Sequence, residues 1–228
     1  MLGGFRWRDV AAAWRRYELA RSYGSDERPA HEVTLTKPCY TGKYEVTQEQ
    51  FAQVMGTNPS HFKGQNLPVE QVSWDDAQAF CKKVSKKTGQ TVRLPTEAEW
   101  EFACRAGTTM MYYTGDDEAD LGRAAWYGTN SNDTTHPVGQ KEPNAWGVYD
   151  MHGNVWEWCA DWYEGYKSGA AVDPQSSTDG QARVLRGGSW LYYAWYCRSA
   201  YRFRFYPGSR YDGYAIGFRV VVVASRTP

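Results

Sequence analysis

The chain has 228 residues, with 26 basic and 26 acidic side chains, and 16% of its residues are aromatic. A chain of this length can bury the core of one ordinary domain, and its balanced charge argues against binding nucleic acid through bulk electrostatics. Its apolar runs fall far short of the roughly 20 residues that a membrane-spanning helix needs. Its 5 cysteines form no CxxC pair, which argues against a disulfide scaffold and a zinc knuckle. We therefore expect a globular domain with reduced cysteines and no membrane span.

The first thirty residues contain a segment whose apolar residues follow a helical pattern. Asp9 is placed to cap a helix whose apolar residues recur at helical spacing, namely Ala13, Trp14, Tyr17 and Ala20. We predict a helical arm over 1–30, packed on a domain formed by 31–228. The Met1 end lacks an apolar segment followed by a small-residue cleavage site, so no signal peptide is expected. This leaves the cytoplasm or a phage or virus particle as the expected location, unless another export route operates.

Short strands and well-marked helix starts follow in chain order. Apolar residues over 33–46 predict two strands divided at Lys37-Pro38. Three helix starts carry a capping box or a close variant. In this motif the capping hydroxyl accepts from the backbone N–H of the third helical residue, and the side chain of that residue accepts from the backbone N–H of the capping residue. They are Thr47-Gln-Glu-Gln50, Ser73-Trp-Asp-Asp76 and Thr96-Glu-Ala-Glu99. The second helix should end at Gly89 and the third at Gly107, with a strand at Val92-Arg-Leu94 between them.

The remainder of the chain has weaker periodicity. Residues 108–180 are rich in Gly, Asp, Asn, Ser and Thr, and are too long for a plain loop, so we expect packed irregular structure or strands that the pattern does not locate. A strand is predicted at Val184-Leu185, followed by an aromatic stretch and a closing strand from Phe218 to Val223. The pattern predicts an α+β domain with short strands and much ordered coil.

Six sequence blocks in a fixed order identify a family resemblance. They are Gly42-Lys-Tyr-Glu-Val-Thr-Gln48, Pro68-Val-Glu-Gln-Val-Ser-Trp-Asp-Asp-Ala77, Arg93-Leu-Pro-Thr-Glu-Ala-Glu-Trp-Glu101, Gly153-Asn-Val-Trp-Glu-Trp158, Arg186-Gly-Gly-Ser-Trp190 and Ile216-Gly-Phe-Arg219. Together they resemble the formylglycine-generating-enzyme/sulfatase-modifying family over about 31–223. This resemblance implies a variant of the C-type lectin fold, which hosts both enzymes and binding proteins.

The enzymes of that family use two reactive cysteines shortly after the Gly-Gly-Ser motif, where thiolates bind copper and the substrate cysteine. Alignment at Gly187-Gly-Ser-Trp190 places Tyr192 at the first of these positions and Cys197 at the second. A phenol cannot replace a soft thiolate as a copper(I) ligand. We expect Cys197 to be a buried packing residue and predict no reaction, with a thiol- and copper-dependent oxidase as the alternative.

A second resemblance covers about 187–219. It is to the variable proteins of diversity-generating retroelements, ligand-binding proteins in which adenines of a template are replaced during reverse transcription. The framework of that family is matched by Gly187-Gly-Ser-Trp190, Ala194, Cys197-Arg-Ser-Ala200, Arg202, Arg204, Pro207, Arg210 and Ile216-Gly-Phe-Arg219. The residues between are ones that altered adenine-rich codons can encode, and neither Asn nor Lys occurs over 181–228. The resemblance implies a ligand-binding set of Leu191, Tyr192, Tyr193, Trp195, Tyr196, Tyr201, Phe203, Phe205, Tyr206, Gly208, Ser209, Tyr211, Asp212, Gly213 and Tyr214.

The composition of this stretch independently indicates a binding surface. From Trp190 to Tyr214, 11 of 25 residues are aromatic, a density that the core of such a domain does not require. Tyr, Trp and Arg dominate binding hot spots, so we expect a macromolecular ligand, with a protein as the preferred class and no nucleic acid. Two alternatives compete: the aromatic side chains fill the core, or the stretch joins the domain into a larger assembly. We expect Arg202, Arg204 and Arg210 to support the fold by bonding backbone carbonyls.

The family resemblance also implies a calcium ion near the Gly-Asn-x-Trp-Glu block. Its ligands would be the side chains of Asp150 and Glu157 and the carbonyls of Gly153 and Val155, an all-oxygen set that suits a hard cation. The alternative is that Asp150 and Glu157 brace an irregular loop. No other cofactor is required. Lys82-Lys83 and Lys86-Lys87 are expected to form the solvated face of a helix.

Overall fold

The computed structural model describes residues 7–10, 16–18, 25–176, 180–210 and 214–223. Its helices are α1 (Gln48–Met55), α2 (Trp74–Thr88), α3 (Glu97–Arg105) and α4 (Glu118–Ala124). Its strands are β1 (Trp7–Val10), β2 (Arg16–Glu18), β3 (Glu32–Thr34), β4 (Cys39–Gly42), β5 (Val92–Arg93), β6 (Trp156–Trp162), β7 (Ala171–Val172), β8 (Arg183–Arg186), β9 (Phe203–Phe205), β10 (Ile216–Gly217) and β11 (Val221–Val223). The mixture of short strands, helices and long coil segments confirms the α+β prediction.

The described strands form small sheets whose neighbours are distant in sequence. One sheet has the order β1-β4-β11-β5, a second β10-β6-β8-β9, and a third β2-β3-β7. In the second sheet β8 pairs antiparallel with both β6 and β9, whereas β10 pairs parallel with β6. This sheet therefore joins β6 to strands on both sides of the aromatic stretch and to β9, which carries Phe203 and Phe205 of the predicted ligand-binding set.

The helix starts follow the capping prediction. The side chains of Thr47, Ser73 and Thr96 each accept a hydrogen bond from the backbone N–H of the third helical residue. In each case the side chain of that third residue accepts from the backbone N–H of the capping residue. Helix α2 ends at Gly89, whose φ of 74° is in the left-handed region. Helix α3 ends one residue earlier than predicted, because Ala106 itself adopts the left-handed conformation, with φ of 45°.

The predicted amino-terminal helix is wrong in the described residues. Trp7–Val10 pairs antiparallel with β4, and Arg16–Glu18 pairs antiparallel with β3. A short helix is marginal by itself, whereas each of these segments satisfies its backbone groups on an existing strand. Tyr17, one of the residues assigned to the helix, lies opposite Val33 in this pairing, while Ala13, Trp14 and Ala20 lie outside the described residues. The boundary at residue 31 stays a prediction.

The segment over 108–180 contains α4, β6 and β7, which the sequence pattern did not locate. Strand β6 shows no alternation of polar and apolar residues because its side chains are covered on both faces, and Trp156, Glu157 and Trp158 are all fully buried. The main core packs the rings of Phe51, Phe80 and Phe218 beside Trp158. Within the described residues, no helix is both long enough and apolar enough to span a membrane.

Candidate ligand-binding surface

The residues predicted to bind ligand lie together at the surface of the second sheet. We call the described members of this set the aromatic face: Leu191, Tyr192, Tyr193, Trp195, Tyr196, Tyr201, Phe203, Phe205, Tyr206, Gly208, Ser209 and Tyr214. Tyr211, Asp212 and Gly213 lie outside the described residues. Each described member is exposed or half-buried, whereas the intervening Cys197, Arg198, Ser199 and Arg202 are buried. The alternative in which the side chains fill the core holds in part. Tyr192, Tyr196, Tyr201, Phe203 and Phe205 are half-buried and pack against the main core, whereas Leu191, Tyr193, Trp195 and Tyr206 are exposed.

Four large side chains project furthest into solvent. The exposed fraction is 75% for Tyr193 and 64% for Tyr206, and it is 44% for both Leu191 and Trp195. Large apolar and aromatic side chains with this exposure are unfavourable in water and are typical of binding surfaces. These residues form the outer layer of the aromatic face.

A second layer of half-buried rings supports the outer one. Tyr192 and Phe203 contact the buried ring of Trp156, with centroid separations of 5.4 and 5.3 Å. Tyr196 lies between Tyr192 and Tyr201, at 5.3 and 5.1 Å from their centroids. Most of these contacts are edge-to-face, the arrangement that aromatic quadrupoles favour. These four half-buried rings therefore form a connected layer that rests on one buried indole.

The backbone of the aromatic face is fixed by hydrogen bonds from other parts of the chain. Gly128 donates its N–H to the Tyr192 carbonyl at 2.8 Å, and a Cβ at Gly128 would lie 3.1 Å from that same oxygen. The Tyr112 hydroxyl donates to the Ala194 carbonyl at 2.9 Å. The Trp74 N–H donates to the Pro207 carbonyl at 2.9 Å. In each bond the aromatic stretch contributes a main-chain carbonyl, so these bonds do not depend on which side chains the aromatic face carries.

Buried arginines anchor the same segment from below. Arg202 donates from Nε and Nη2 to the two Glu97 carboxylate oxygens at 2.6 and 2.8 Å, and from Nη1 to the Asp26 and Glu164 carbonyls. Arg198 forms a similar bidentate pair with Glu27 at 2.9 and 2.6 Å. Each pair ties a framework residue of the aromatic stretch to a carboxylate outside it. The prediction that Arg202 bonds backbone carbonyls is confirmed.

A third buried arginine completes this support. Arg186 donates to the carbonyls of Ser199, Ala200 and Tyr201 at 2.9 Å each, and it is ion-paired with Glu101. Burial raises the pKa of the Glu97 carboxyl, but the positive charges of Arg202 and Arg186 outweigh that effect and the pKa lies below its ordinary value. Glu97 is therefore ionised at neutral pH, and its charge is matched.

Arg204 and Arg210 differ from this pattern, because both are exposed. The Arg204 guanidinium lies over the Tyr163 ring, 4.6 Å from its centroid. Arg210 donates from Nη2 to Asp76 at 2.9 Å, near the start of α2. In the described residues these two arginines contact a ring and a carboxylate, not the backbone carbonyls that the sequence led us to expect.

The position of Cys197 bears on the oxidase alternative. Its thiol is fully buried and packed so closely that a Cβ on Gly188 would lie 2.4 Å from Sγ. Burial raises the pKa of Cys197 to about 12. The position that holds the other reactive cysteine in the enzymes is occupied by Tyr192, a half-buried member of the aromatic face. Cys197 is a packing residue, as predicted.

Two of the four predicted calcium ligands, Glu157 and Asp150, bond a cation of the protein itself. Arg219 donates to both carboxylate oxygens of Glu157 at 2.6 Å, and the Trp100 indole N–H donates to one of them at 2.7 Å. Arg219 also donates to the Asp150 carbonyl, while the Asp150 carboxylate accepts from the Gly139 N–H at 2.7 Å. Because a guanidinium occupies this carboxylate, these residues do not fit the all-oxygen calcium site. Their contacts favour the alternative in which they brace the loop.

Three further residues border the aromatic face. His61 stacks on Tyr214 at 4.1 Å between ring centroids, Phe62 packs edge-on against Trp190 at 5.4 Å, and Trp156 forms the base. Only Trp156 stood in a recognised sequence block. His61 and Phe62 lie in a loop more than a hundred residues earlier in the chain, where the pattern carried no signal for them.

A cavity of about 360 Å³ lies on the other side of the Arg202 anchor. Its walls include Glu97, Asp161, Tyr166 and Arg202. Burial raises the pKa of Asp161 to about 6, and its carboxylate accepts from the backbone N–H groups of Glu97 and Ser176. The charged walls are thus bonded to one another and contribute to the support of the aromatic face.

Comparison with known proteins agrees with this geometry. The family model for the sulfatase-modifying factor enzyme 1-like domain matches residues 4–224. The solved structure of Treponema denticola variable protein 1 is similar with a TM-score of 0.91 and 34% identity, covering 98% of each chain. This likeness confirms the predicted C-type lectin-like fold and the resemblance to variable proteins.

Two curated relatives illustrate the range of the family. The chaperone protein LppX of Paenibacillus barcinonensis is 33% identical over 225 residues, covering 77% of this chain and 75% of LppX. The formylglycine-generating enzyme of Streptomyces coelicolor is 41% identical over 146 residues, covering 58% of this chain. The match spans less than half of that enzyme, 45% of its length.

Proposed function

The chain belongs to the sulfatase-modifying factor enzyme 1-like family, and on that premise we propose that it is a ligand-binding protein whose aromatic face is diversified by a retroelement. Recognition proceeds by burial of Tyr, Trp and Phe side chains, with polar adjustment from residues such as Ser209. The scaffold holds the backbone of this surface while its side chains differ from one copy to another. A variable protein of Treponema denticola shares this fold over nearly its whole length, which supports the proposal.

One observation carries the proposal. Along the aromatic stretch, the described positions attributed to diversification are exposed or half-buried, while Cys197, Arg198, Ser199 and Arg202 between them are buried. Arg198 and Arg202 pair with Glu27 and Glu97, and neither bond involves a varied side chain. A surface organised in this way can change its side chains without losing the contacts that hold it in place.

The preferred ligand is a protein or a comparable macromolecular surface. Small-molecule sites are concave and bury most of their ligand, whereas the aromatic face presents projecting rings such as Tyr193 and Tyr206. Tyr and Trp supply large contact areas at a low cost in side-chain entropy, and each well-buried anchor of this kind contributes about 2 kcal/mol or more. A folded protein can cover several of them at once.

We propose that no thiol or copper chemistry takes place at this surface. A buried thiol whose pKa is about 12 provides almost no thiolate at neutral pH, and a phenol stands in the partner position. The enzyme relatives make the oxidase the alternative worth testing. It requires that the protein bind copper(I) stoichiometrically and that Cys197→Ser abolish this binding.

The assembly alternative predicts that the aromatic face holds copies of the chain together. If 190–214 joined copies of the chain, the protein would form a stable oligomer at micromolar concentration, and Tyr193→Ser with Tyr206→Ser would dissociate it. Under the ligand-binding proposal, sedimentation gives a monomer, and the same two substitutions leave the sedimentation coefficient unchanged.

A library experiment tests the proposed function directly. The codons of the aromatic face are randomised to the residues accessible from asparagine codons, and the library is selected against hen lysozyme as a defined folded protein. A matched library varies the same number of exposed positions on α2 and α4. The proposal predicts binders from the first library that retain the melting temperature of the parent. Binders from neither library, or from both at similar frequency, would contradict it.

A further inference from the structure

A cluster of lysines lies on α2, away from the aromatic face. Lys82, Lys83, Lys86 and Lys87 are all exposed, whereas Ala77, Phe80, Cys81 and Val84 of the same helix are buried. We call these four side chains the lysine face. No carboxylate lies within ion-pairing distance of any of them in the part of the chain that the structure describes. The chain as a whole is neutral, so this is a local concentration of positive charge.

The spacing of these lysines disfavours the helix that carries them. Lys82 and Lys86 are four residues apart, as are Lys83 and Lys87, and like charges at that separation repel each other along a helix surface. Only Lys86 and Lys87 lie in the last turn, where the helix dipole offsets part of this cost. The arrangement suits an external negative charge.

The lysine face lies on the second half of α2, whereas the aromatic stretch contacts the first residue of that helix. The helix begins at Trp74, whose N–H bonds the Pro207 carbonyl of the aromatic stretch. It ends near Thr91, whose carbonyl accepts from Val223 at the end of the first sheet. Its 15 residues span about 22 Å at 1.5 Å per residue. A partner on the lysine face therefore leaves the aromatic face free.

The chemistry of the lysine face fits an anionic phospholipid surface. Lysine is a hydrated point charge on a flexible chain, suited to diffuse attraction, whereas recognition of single phosphates or carboxylates favours the planar fork of arginine. Residues 82–91 contain no aromatic side chain, so bases of a single-stranded nucleic acid would have nothing to stack on. Clustered lysines are attracted to membranes rich in anionic lipid, within a Debye length of the surface.

We propose that the lysine face docks the protein on an anionic phospholipid surface, with the aromatic face directed away from it. Such docking goes beyond ligand binding by the aromatic face, since it uses a different surface and needs no diversified residue. It orients the variable side chains toward a ligand approaching from solution. The attraction is electrostatic and is therefore weakened by salt.

Vesicle sedimentation of the full chain tests this proposal. The probes are phosphatidylcholine vesicles with and without about 30 mol% phosphatidylserine, at low salt and at about 0.5 M salt. We expect binding only to the anionic vesicles at low salt. Lys83→Gln with Lys87→Gln should lower the partition coefficient about thirtyfold. The matched control, Lys63→Gln with Lys167→Gln, removes the same charge from other exposed lysines and should retain most of the binding.

Four outcomes would overturn the proposal. One is the absence of preference for anionic vesicles. A second is an equal loss in both lysine pairs, which would show that only net charge matters. The third is a loss with Tyr193→Ser and Tyr206→Ser but not with the lysine variants, which would assign membrane contact to the aromatic face. Binding of an acidic protein or of DNA through Lys83 and Lys87, without vesicle binding, would also contradict it.

Discussion

Arg202 and Phe203 are consecutive residues that serve opposite faces of the sheet. The Arg202 guanidinium is bonded to the buried Glu97 carboxylate at 2.6 Å, while the Phe203 ring stacks 5.3 Å from Trp156 within the aromatic face. Successive side chains of an extended strand point to opposite sides, so this single step separates a buried ion pair from a half-buried ring of the aromatic face. The separation lets the two kinds of position be altered independently.

The first prediction concerns the outer layer of the aromatic face. Replacing Tyr193 and Tyr206 by Ser should change the free energy of unfolding by no more than about 0.5 kcal/mol each, because both rings are largely exposed. Urea denaturation measures this. A loss of about 2 kcal/mol from either substitution would mean that the ring belongs to the core of the protein.

The second prediction concerns the anchor beneath that layer. Arg202→Met removes the bidentate partner of Glu97 and leaves a buried carboxylate with less compensation, so we expect a cost of about 3–5 kcal/mol in urea denaturation. Adding Glu97→Gln should restore part of that loss, because the uncompensated charge is removed. If the double variant is as unstable as the sum of the two single variants, the pairing does not carry the stability assigned to it.

Local features of the chain could be predicted from the sequence, whereas features that depend on burial or on pairing between distant strands could not. Capping boxes located the starts of α1, α2 and α3, because a cap is a local property of four residues. Strand β6 was not located, since burial on both faces removes the alternation that identifies a strand. Trp7–Val10 adopted a strand because pairing with β4 outweighed weak local helical spacing. The positions of the aromatic face followed from family resemblance, not from periodicity.

Contacts between distant segments could not be predicted in the same way. Nothing in the sequence assigns Glu27 to Arg198 or His61 to Tyr214, since each pair forms only when the chain has folded. The same holds for Arg219, which takes the Glu157 carboxylate that the resemblance assigned to calcium. A motif specifies residue types, whereas the charge that faces them depends on the tertiary structure.

A third prediction addresses thiol chemistry. Because burial raises the pKa of Cys197 to about 12, iodoacetamide at pH 8 should leave this thiol unlabelled in the native protein and label it after unfolding in urea. Mass spectrometry of the peptide containing Cys197 gives the extent of labelling. The partly exposed Cys39 provides an internal comparison in the same sample. Rapid native labelling of Cys197 would revive the oxidase alternative.

The fourth prediction concerns His152, which lies beneath the same segment. Its Nδ1 is 2.7 Å from the Cys197 carbonyl and its Nε2 is 3.1 Å from the Tyr113 N–H, so Nδ1 carries the proton. Burial lowers the pKa of His152 to about 3. In the unfolded chain its pKa is near 6.5, so its contribution to stability is complete above pH 6.5 and is lost as the pH falls toward 3.

Nuclear magnetic resonance of the imidazole nitrogens measures this state. We expect the neutral Nδ1–H tautomer to persist down to about pH 4, with no titration step near pH 6.5. The free energy of unfolding of the protein with His152→Gln should lack the acid-dependent component of about 1.4 kcal/mol per pH unit below pH 6. Protonation of His152 at pH 6 would contradict this prediction, because it would show that the ring is more accessible to water than in this structure.

We propose that diversification is confined to the predicted ligand-binding set, and DNA sequencing of the region around the coding sequence measures this directly. We predict a near-copy of the codons for 187–219 beside a reverse transcriptase gene. The two copies should differ only where the near-copy has adenine, with the changes falling in the codons of the predicted ligand-binding set and none in those for Arg198 or Cys197. Differences spread over framework codons, or at bases other than adenine, would contradict the account.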